Sequence, residues 1–232
     1  MKKALAFFAT GALVVVLFLP ALAFEPTHKF GIAVRASGIA PTNGDFTASG
    51  TVNDMFDVGP SFGGQLTYTP IKYITVVGGF DYGWMKIKDG FKPASGAEPN
   101  INLPQIFLKG QFNFGSLIEN PNNRVNPYVS VGAGLYPWKV TSDGINGDAQ
   151  LFANGNDFKK TSFGLLGSSG VEVFLIDRLS VFAEGTYHFL FAENKSEFVG
   201  STNAGLSGFT GFDDQGFVTF GGGVTFYLPI GK

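Results

Sequence analysis

The stretch FGLLGSSGVEVFLIDRLSVFAEGTYHF, residues 163–189, alternates apolar residues with small or polar ones on both sides of a short central turn. This period of two is typical of β-strands that have one apolar face. Ile176-Asp177-Arg178 separates the two alternating runs and predicts a tight turn between two antiparallel strands. The apolar set is Phe163, Leu165, Val171, Val173, Leu179, Val181, Tyr187 and Phe189, and the polar or small set is Ser162, Gly164, Ser168, Gly170, Glu172, Ser180, Glu184, Thr186 and His188.

The same alternation recurs in six other parts of the chain. Most of these runs exceed the roughly 9–11 residues that a tilted membrane-spanning strand needs. We therefore predict an all-β protein, an eight-stranded antiparallel up-and-down transmembrane β-barrel. The predicted strands cover residues 29–35, 58–69, 73–88, 105–114, 127–140, 158–173, 179–191 and 217–228.

The connections between the predicted strands alternate in length. Residues 70–72 and 176–178 form short turns, residues 115–126 form an intermediate connection, and the other four connections are long, polar and rich in glycine. Outer-membrane barrels have short periplasmic turns and longer extracellular loops, and an even strand number brings both termini to the side of the turns. The long connections cover residues 39–57, 89–101, 141–157 and 192–214.

The composition excludes several classes of protein. Of the 232 residues, 44% are hydrophobic, 15% are charged, 33 are glycine and 26 are phenylalanine. Disordered chains have high charge and few aromatic residues, and helical bundles contain little glycine. With a net charge of −2 there is no basic footprint for nucleic acid, and the absence of cysteine rules out disulfides and thiolate chemistry.

The first 23 residues have the pattern of a secretory signal. Lys2 and Lys3 precede an apolar run over residues 4–19, and Ala21-Leu22-Ala23 has the small-x-small pattern of a cleavage site. A retained transmembrane anchor is the alternative, but it needs about 20 apolar residues. We predict that residues 1–23 are a cleaved signal peptide and that residues 24–232 form the barrel.

Alternation alone does not say whether the apolar face points outward into lipid or inward, as in a soluble barrel. The polar face is the better guide, because soluble surfaces are about 25–35% charged whereas this face is mostly small and neutral. We therefore expect the polar face to line a closed lumen, where buried charges need partners. Its charged residues are Lys29, Arg35, Asp81, Lys109, Glu172 and Glu184, and the predicted interior polar network is Arg35, Asp81, Lys109, Glu172, Glu184 and His188.

Aromatic residues near the strand ends predict girdles at the two membrane interfaces, as in other barrels of this kind. The residues assigned to the girdles are Tyr68, Tyr73, Trp84, Tyr128, Trp138 and Tyr187.

The stretches NPYVSVGAGLYPW (126–138), residues 163–189 quoted above, and TFGGGVTFYL (219–228) resemble the small eight-stranded bacterial outer-membrane β-barrels. Within this superfamily the likeness is to the opacity-type, OmpX-like and OmpW-like proteins and to the OmpA transmembrane domain. The resemblance implies location in the outer membrane, contact with its lipid and lipopolysaccharide, and assistance from periplasmic chaperones and the barrel assembly machinery. The implied assembly signal is Thr219, Gly221, Val224 and Phe226.

Two further patterns could indicate chemistry. Ser180, Glu184 and His188 share one strand face, but at about 3.3 Å per residue they are too far apart to form a hydrogen-bonded triad. The acidic, glycine-containing residues 143–148 resemble a calcium loop faintly, yet Asn154 occupies the position of the bidentate glutamate. We therefore expect no catalytic residues, no cofactor and no metal.

The expected function is that of a non-enzymatic integral outer-membrane barrel with a polar-packed lumen and four long extracellular loops. Such a protein would serve surface structure, membrane integrity or adhesion, and we expect a monomer. A small OmpW-like pore for small or apolar solutes is the alternative, because a glycine- and serine-rich lumen could conduct. A lipid-modifying barrel enzyme is a third possibility.

Overall fold

The computed structural model describes residues 29–47, 50–92, 98–117, 124–143, 149–150, 152–153, 156–157, 159–191 and 214–229. Eight long strands dominate this part of the chain, and each has 13 to 19 residues. In chain order they are β1 (Lys29–Asn43), β2 (Gly59–Ile71), β3 (Ile74–Lys86), β4 (Glu98–Asn113), β5 (Val125–Asp143), β6 (Lys159–Ile176), β7 (Leu179–Phe191) and β8 (Gln215–Pro229).

Each strand pairs antiparallel with the next one along the chain, from β1 through β8. The barrel closes because β8 also pairs with β1, in a register that runs from Lys29 opposite Pro229 to Asn43 opposite Gly216. Closure leaves no unpaired sheet edge, which is what a strand-built protein needs in lipid. The predicted fold class, an eight-stranded antiparallel up-and-down barrel, is confirmed.

The connections alternate in length as predicted. The long connections cover residues 44–58, 87–97, 144–158 and 192–214, and the strand ends that they join lie at one end of the barrel, here called the loop end. The opposite turn end has the two-residue turns 72–73 and 177–178 and the longer connection 114–124.

Small elements accompany these connections. The turn end has a 3₁₀ turn (Phe114–Leu117), and the loop end has the four-residue helix α1 (Val52–Met55) and a second 3₁₀ turn (Asp89–Phe91). The loop end also has the short strands Asp45–Thr47, Gly50–Thr51, Ala149–Gln150, Phe152–Ala153 and Asn156–Asp157. None of the helices in the described residues is long and apolar enough to cross a membrane.

The two largest errors in the predicted strand limits lie at the loop end. The sequence pattern places residues 39–57 and 89–101 in loops, whereas β1 continues to Asn43 and β4 already begins at Glu98. Both extensions remain paired: Ala40 lies opposite Val218 and Asn100 lies opposite Thr141. Neighbouring strands that also continue past the apolar region provide the backbone hydrogen-bond partners there.

The outer face of the barrel carries the apolar set of the alternation. Val131 is 74% exposed, and Val34, Phe62, Leu108 and Phe220 are exposed as well. The inner face carries the polar set, and most of its side chains are buried. Val173 departs from the predicted exposure of this apolar set, because it is buried near the turn end, where the pairing of β6 with β7 shifts between Phe174 and Ile176.

The polarity of the two faces reverses near the loop end. In β5 the outer residue Leu135 is exposed and the inner residue Ser130 is buried, as elsewhere in the barrel. Farther along the same strand the inner residues Trp138 and Val140 are buried and apolar, and the outer residue between them is the exposed Lys139. The barrel therefore consists of a section with an apolar exterior and a loop-end section with an apolar interior.

Candidate functional site: the lumen

Four charged side chains meet in the middle of the lumen and are here called the charged quartet: Arg35, Asp81, Lys109 and Glu184. Glu184 accepts a hydrogen bond from Arg35 Nη1 at 3.2 Å and one from Lys109 Nζ at 2.5 Å. Arg35 Nε also lies 3.5 Å from Asp81 Oδ2. Two cations and two anions thus balance, which is the condition under which buried charges are tolerated.

Neutral donors complete the coordination of Glu184. The Tyr128 hydroxyl donates to Oε2 at 3.1 Å and the Thr186 hydroxyl donates to Oε1 at 3.1 Å. Lys109 Nζ lies 3.5 Å from Ser168 Oγ, which contacts Ser130 Oγ across the pair β5–β6. Each carboxylate oxygen of Glu184 therefore accepts one charged and one neutral hydrogen bond.

Inner-face glycines make room for the charged quartet. A Cβ atom on Gly132 would lie 2.2 Å from the carbonyl oxygen of Leu108 and 2.6 Å from Lys109 Cβ, and one on Gly170 would lie 2.6 Å from both the carbonyl oxygen of Ala183 and the Tyr128 hydroxyl. These distances are shorter than real Cβ contacts, so a larger residue would clash with the backbone of the neighbouring strand as well as with Lys109 or Tyr128. Glycine at these two positions therefore allows the strands and the long inner side chains to approach closely.

Glu172 lies in a separate group near the turn end. Its Oε1 accepts hydrogen bonds from Ser180 Oγ at 2.5 Å and from the Tyr227 hydroxyl at 2.6 Å. Beside it, an amide and hydroxyl network fills the turn end through Gln111, Asn113, Asn126, Thr69 and Thr75.

His188 lies between the charged quartet and the loop end. Its Nδ1 is 2.9 Å from the Tyr136 hydroxyl and its Nε2 is 3.1 Å from Thr219 Oγ1. The Tyr136 ring also meets the imidazole edge to face, with centroids 5.8 Å apart. Both ring nitrogens therefore have neutral partners within the lumen.

An apolar cluster, here called the cap, fills the loop end of the lumen. Phe56 of the segment after α1 packs into it, and Trp138 donates its indole N–H to Ser162 Oγ at 3.2 Å. Backbone hydrogen bonds tie the α1 segment to the barrel, from Asp57 N to the carbonyl of Lys86 and from Lys88 N to that of Met55. The cap consists of Ile39, Val52, Met55, Phe56, Met85, Ile87, Ile101, Leu103, Tyr136, Trp138, Val140, Leu190 and Phe217.

The structure divides the six predicted network residues into three groups. Arg35, Asp81, Lys109 and Glu184 meet in the charged quartet, and Lys109 pairs with Glu184 across the lumen rather than with Glu172. Glu172 and His188 belong to the other two groups. Ser180 and His188 are likewise held by different partners than Glu184 is, so the three do not act together.

The assignment of Tyr128 and Trp138 to the aromatic girdles was wrong. Both side chains are buried in the lumen, Tyr128 against Glu184 and Trp138 in the cap. Strand parity could have identified them, because both share the parity of the inner residue Ser130. Tyr68 and Tyr187 are exposed.

The structure shows where some other predicted residues lie, but it does not test the roles predicted for them. In β8, Val224 and Phe226 of the predicted assembly signal are exposed on the outer face, whereas Thr219 contacts His188 and Gly221 lies opposite Glu184. Most of the calcium-like segment, residues 144–148, and the predicted signal peptide, residues 1–23, lie outside the described residues. Within the described ranges no group of three His, Cys, Asp or Glu side chains could hold a metal ion.

Comparison with solved structures agrees with this architecture. Neisserial surface protein A is similar to this chain with a TM-score of 0.51 and 18% sequence identity, covering 86% of this chain and 97% of that one. The chain has the fold of the small eight-stranded outer-membrane β-barrels. Two other similar structures are OprG from Pseudomonas aeruginosa and Ail of Yersinia pestis. OprG has a TM-score of 0.48 and 14% identity over 89% of this chain and 99% of its own. Ail, with sucrose octasulfate bound, has a TM-score of 0.47 and 13% identity over 86% of this chain and 99% of its own.

Comparisons of sequence add no relative. No protein-family model matches the chain, and no curated protein matches it either. At 18% identity the likeness is one of fold, so function has to be argued from the lumen and the surface themselves.

Proposed function

We propose that the protein is a non-enzymatic integral outer-membrane barrel whose lumen is filled by its own side chains, and that it serves surface structure, membrane integrity or adhesion through its long loops. The burial of the charged quartet supports this proposal most directly. Arg35, Asp81, Lys109 and Glu184 are only 2–7% exposed although they lie in the middle of the lumen. Side chains that line a water-filled channel would remain accessible.

Location in the outer membrane is supported by the outer face. Exposed apolar side chains continue around the barrel on β1 to β8, and a contiguous exposed apolar area of this extent marks a membrane or protein contact. Transmembrane barrels have an outward apolar band about 25 Å tall around a polar interior. The long connections at the loop end would then face the outside of the cell, and the signal peptide over residues 1–23 would direct export.

The filled lumen separates this proposal from the OmpW-like pore. The turn-end network, the charged quartet, the His188 group and the cap succeed one another along the barrel axis. Each level contains side chains from several strands that contact one another. A solute would have to displace ion pairs and the cap to pass.

Planar-bilayer recording of the refolded chain tests the proposal. We expect no stable single-channel steps. In vesicles the barrel should be protected from added protease, and on gels it should migrate faster before boiling than after. Steady channels in the wild-type protein would establish the pore instead. If mass spectrometry shows that the protein releases acyl chains from lipid A, the proposal that it is not an enzyme is contradicted.

A further inference from the structure

A group of buried polar atoms on one side of the lumen has no hydrogen-bond partner among the protein atoms. Within the described residues, no such atom belongs to β5, β6 or β7. Buried polar groups in native proteins are almost always hydrogen-bonded, so these atoms call for a partner from outside the chain. Those that lie together, here called the polar patch, are Ser37 Oγ, Ser61 Oγ, Gln65 Nε2, Asp81 Oδ1 and both amide atoms of the Gln105 side chain.

The strand register brings the five side chains of the polar patch together. Asp81 lies directly opposite Gln105 across β3 and β4, and Ser37 lies opposite Ser61 across β1 and β2. Ser61 and Gln65 are the two residues of β2 that lie diagonally across from Asp81. Directly opposed residues have Cβ atoms about 4.5–5.5 Å apart, and diagonal ones are about 7–8 Å apart. One small ligand can therefore contact side chains from several of these strands.

Two glycines let polar atoms of the patch turn toward each other. Asp81 Oδ1 extends over Gly63 of β2, where it would lie 1.9 Å from a Cβ atom. Ser61 Oγ leans over Gly83 of β3, where it would lie 3.3 Å from a Cβ atom. The carboxylate thus extends toward β2 and the hydroxyl toward β3, so both atoms face the space above the β2–β3 pair.

Apolar side chains enclose the polar patch at both ends. Toward the loop end, the next inner residues of β1 and β4 are Ile39 and Leu103 of the cap. Toward the turn end, the next inner residue of β4 is the buried Phe107. Ser61 and Gln105 of the patch are themselves 0% exposed. A ligand held here is therefore shielded from bulk water.

The unpartnered atoms of the patch include both donors and acceptors. The Asp81 carboxylate only accepts hydrogen bonds, the Gln65 amide nitrogen only donates them, and the serine hydroxyls and the Gln105 amide do both. A metal ion would be repelled by the amide N–H groups, and an anion would be repelled by Asp81. Either ion would also unbalance the charged quartet, whose charges sum to zero. The matching ligand is neutral and both donates and accepts, as water does.

We propose that the polar patch binds a small cluster of water molecules, enclosed between the charged quartet and the cap on the side of β1 to β4. A buried water makes about three hydrogen bonds, so the six atoms of the patch and contacts between waters correspond to about two or three molecules. This side of the lumen is therefore held together through water, whereas on the opposite side Ser130 and Ser168 contact each other directly. The proposal goes beyond the filled lumen and does not depend on the role of the loops.

The test counts long-lived water molecules in the full chain, refolded in detergent micelles, by relaxation dispersion of the oxygen-17 and deuterium signals of water. Ser61→Ala combined with Gln105→Leu removes two members of the patch and is called the patch variant. Ser130→Ala combined with Gln111→Leu makes the same two changes at inner positions that have protein partners, and serves as the control. We expect the patch variant to lose about two or three long-lived waters and the control to keep the wild-type number. Equal numbers in wild type and the patch variant would overturn the site.

Urea unfolding of Gln105→Leu gives a second, independent measurement. Removing one member of a water-bridged network leaves other polar groups without a partner, whereas replacing a polar group that has no partner at all is neutral or stabilising. We expect the ratio of folded to unfolded protein to fall at least fivefold. An unchanged or higher ratio would overturn the water site.

Two further arms keep the outcome unambiguous. If the patch variant does not refold, Ser61→Ala alone is measured, and it should lose at least one long-lived water. The stability of wild type should be the same in sodium, potassium and choline chloride at equal ionic strength, and a gain specific to one cation would overturn water as the ligand. A conducting wild-type lumen would appear in bilayer recording and not in these measurements, so failure of the water site leaves the filled-barrel proposal standing.

Discussion

The membrane-facing section of the barrel and its loop-end section use opposite arrangements of the same strands. In the first, Val131 points outward and the charged quartet is inside. In the second, Lys139 points outward and Met85 and Trp138 are inside. The loop-end section is therefore organised like a water-soluble protein, and in the proposed membrane location the reversal between Leu135 and Trp138 marks where lipid gives way to water.

The largest expected effect comes from breaking the charged quartet. Glu184→Gln removes the anion that both Arg35 and Lys109 contact, and loss of one partner of a buried pair costs about 3–5 kcal/mol. Urea unfolding in lipid vesicles should show this loss.

Removing a cation and an anion together, so that the net charge of the lumen is unchanged, provides the control for that variant. Lys109→Met combined with Glu184→Gln leaves Arg35 with Asp81, so we expect a smaller loss than for Glu184→Gln alone. If the loss of unfolding free energy in the double variant equals the sum of the losses in Lys109→Met alone and Glu184→Gln alone, the two side chains are not coupled.

The contribution of the cap to the free energy of unfolding should depend on the volume of its side chains rather than on their charge. Met85→Ala empties a fully buried position and should cost about 2–5 kcal/mol. The adjacent Lys86→Ala, on the exposed outer face, should stay within about 0.5 kcal/mol in the same unfolding measurement. Equal effects at the two positions would mean that the inner face is not packed there.

The same arginine substitution should have different consequences at two levels of the outer face. Val131→Arg places charge in the apolar section and should cost about 2–4 kcal/mol, whereas Thr161→Arg, nearer the loop end, should cost about 0–1 kcal/mol. Yields and unfolding free energies in vesicles measure the contrast. A tolerated arginine at Val131 would contradict its contact with lipid.

The smallest effect concerns the α1 segment that carries Phe56 into the cap. Hydrogen bonds from the Thr51 side chain and backbone lower the pKa of Asp54. A lowered folded-state pKa stabilises the segment above the unfolded value of about 3.9, and this contribution is lost as pH falls through the folded value. The protection factors of the amides of residues 52–56, corrected for the intrinsic exchange rate at each pH, should fall below about pH 4 in wild type, and Asp54→Asn should remove that dependence.

Sequence alternation predicted the eight strands and the outer residues of the membrane-facing section because there the two faces differ in polarity. It did not identify the cap, since Ile101 and Leu103 lie inside where the outer face is polar, and part of that stretch reads as a loop. The partners of Lys109 also depend on contacts across the lumen from β4 to β7, which no pattern within one strand contains.

The most direct test of the two-section barrel is a depth profile along the outer face of β5. The sequence contains no cysteine, so Val129→Cys, Val131→Cys, Leu135→Cys and Lys139→Cys can each carry one spin label without background. In vesicles we expect labels at the first three positions to collide mainly with oxygen and the label at position 139 to collide mainly with a water-soluble nickel complex. A label at position 131 that is as accessible to nickel as the one at position 139 would contradict the assignment of this face to lipid.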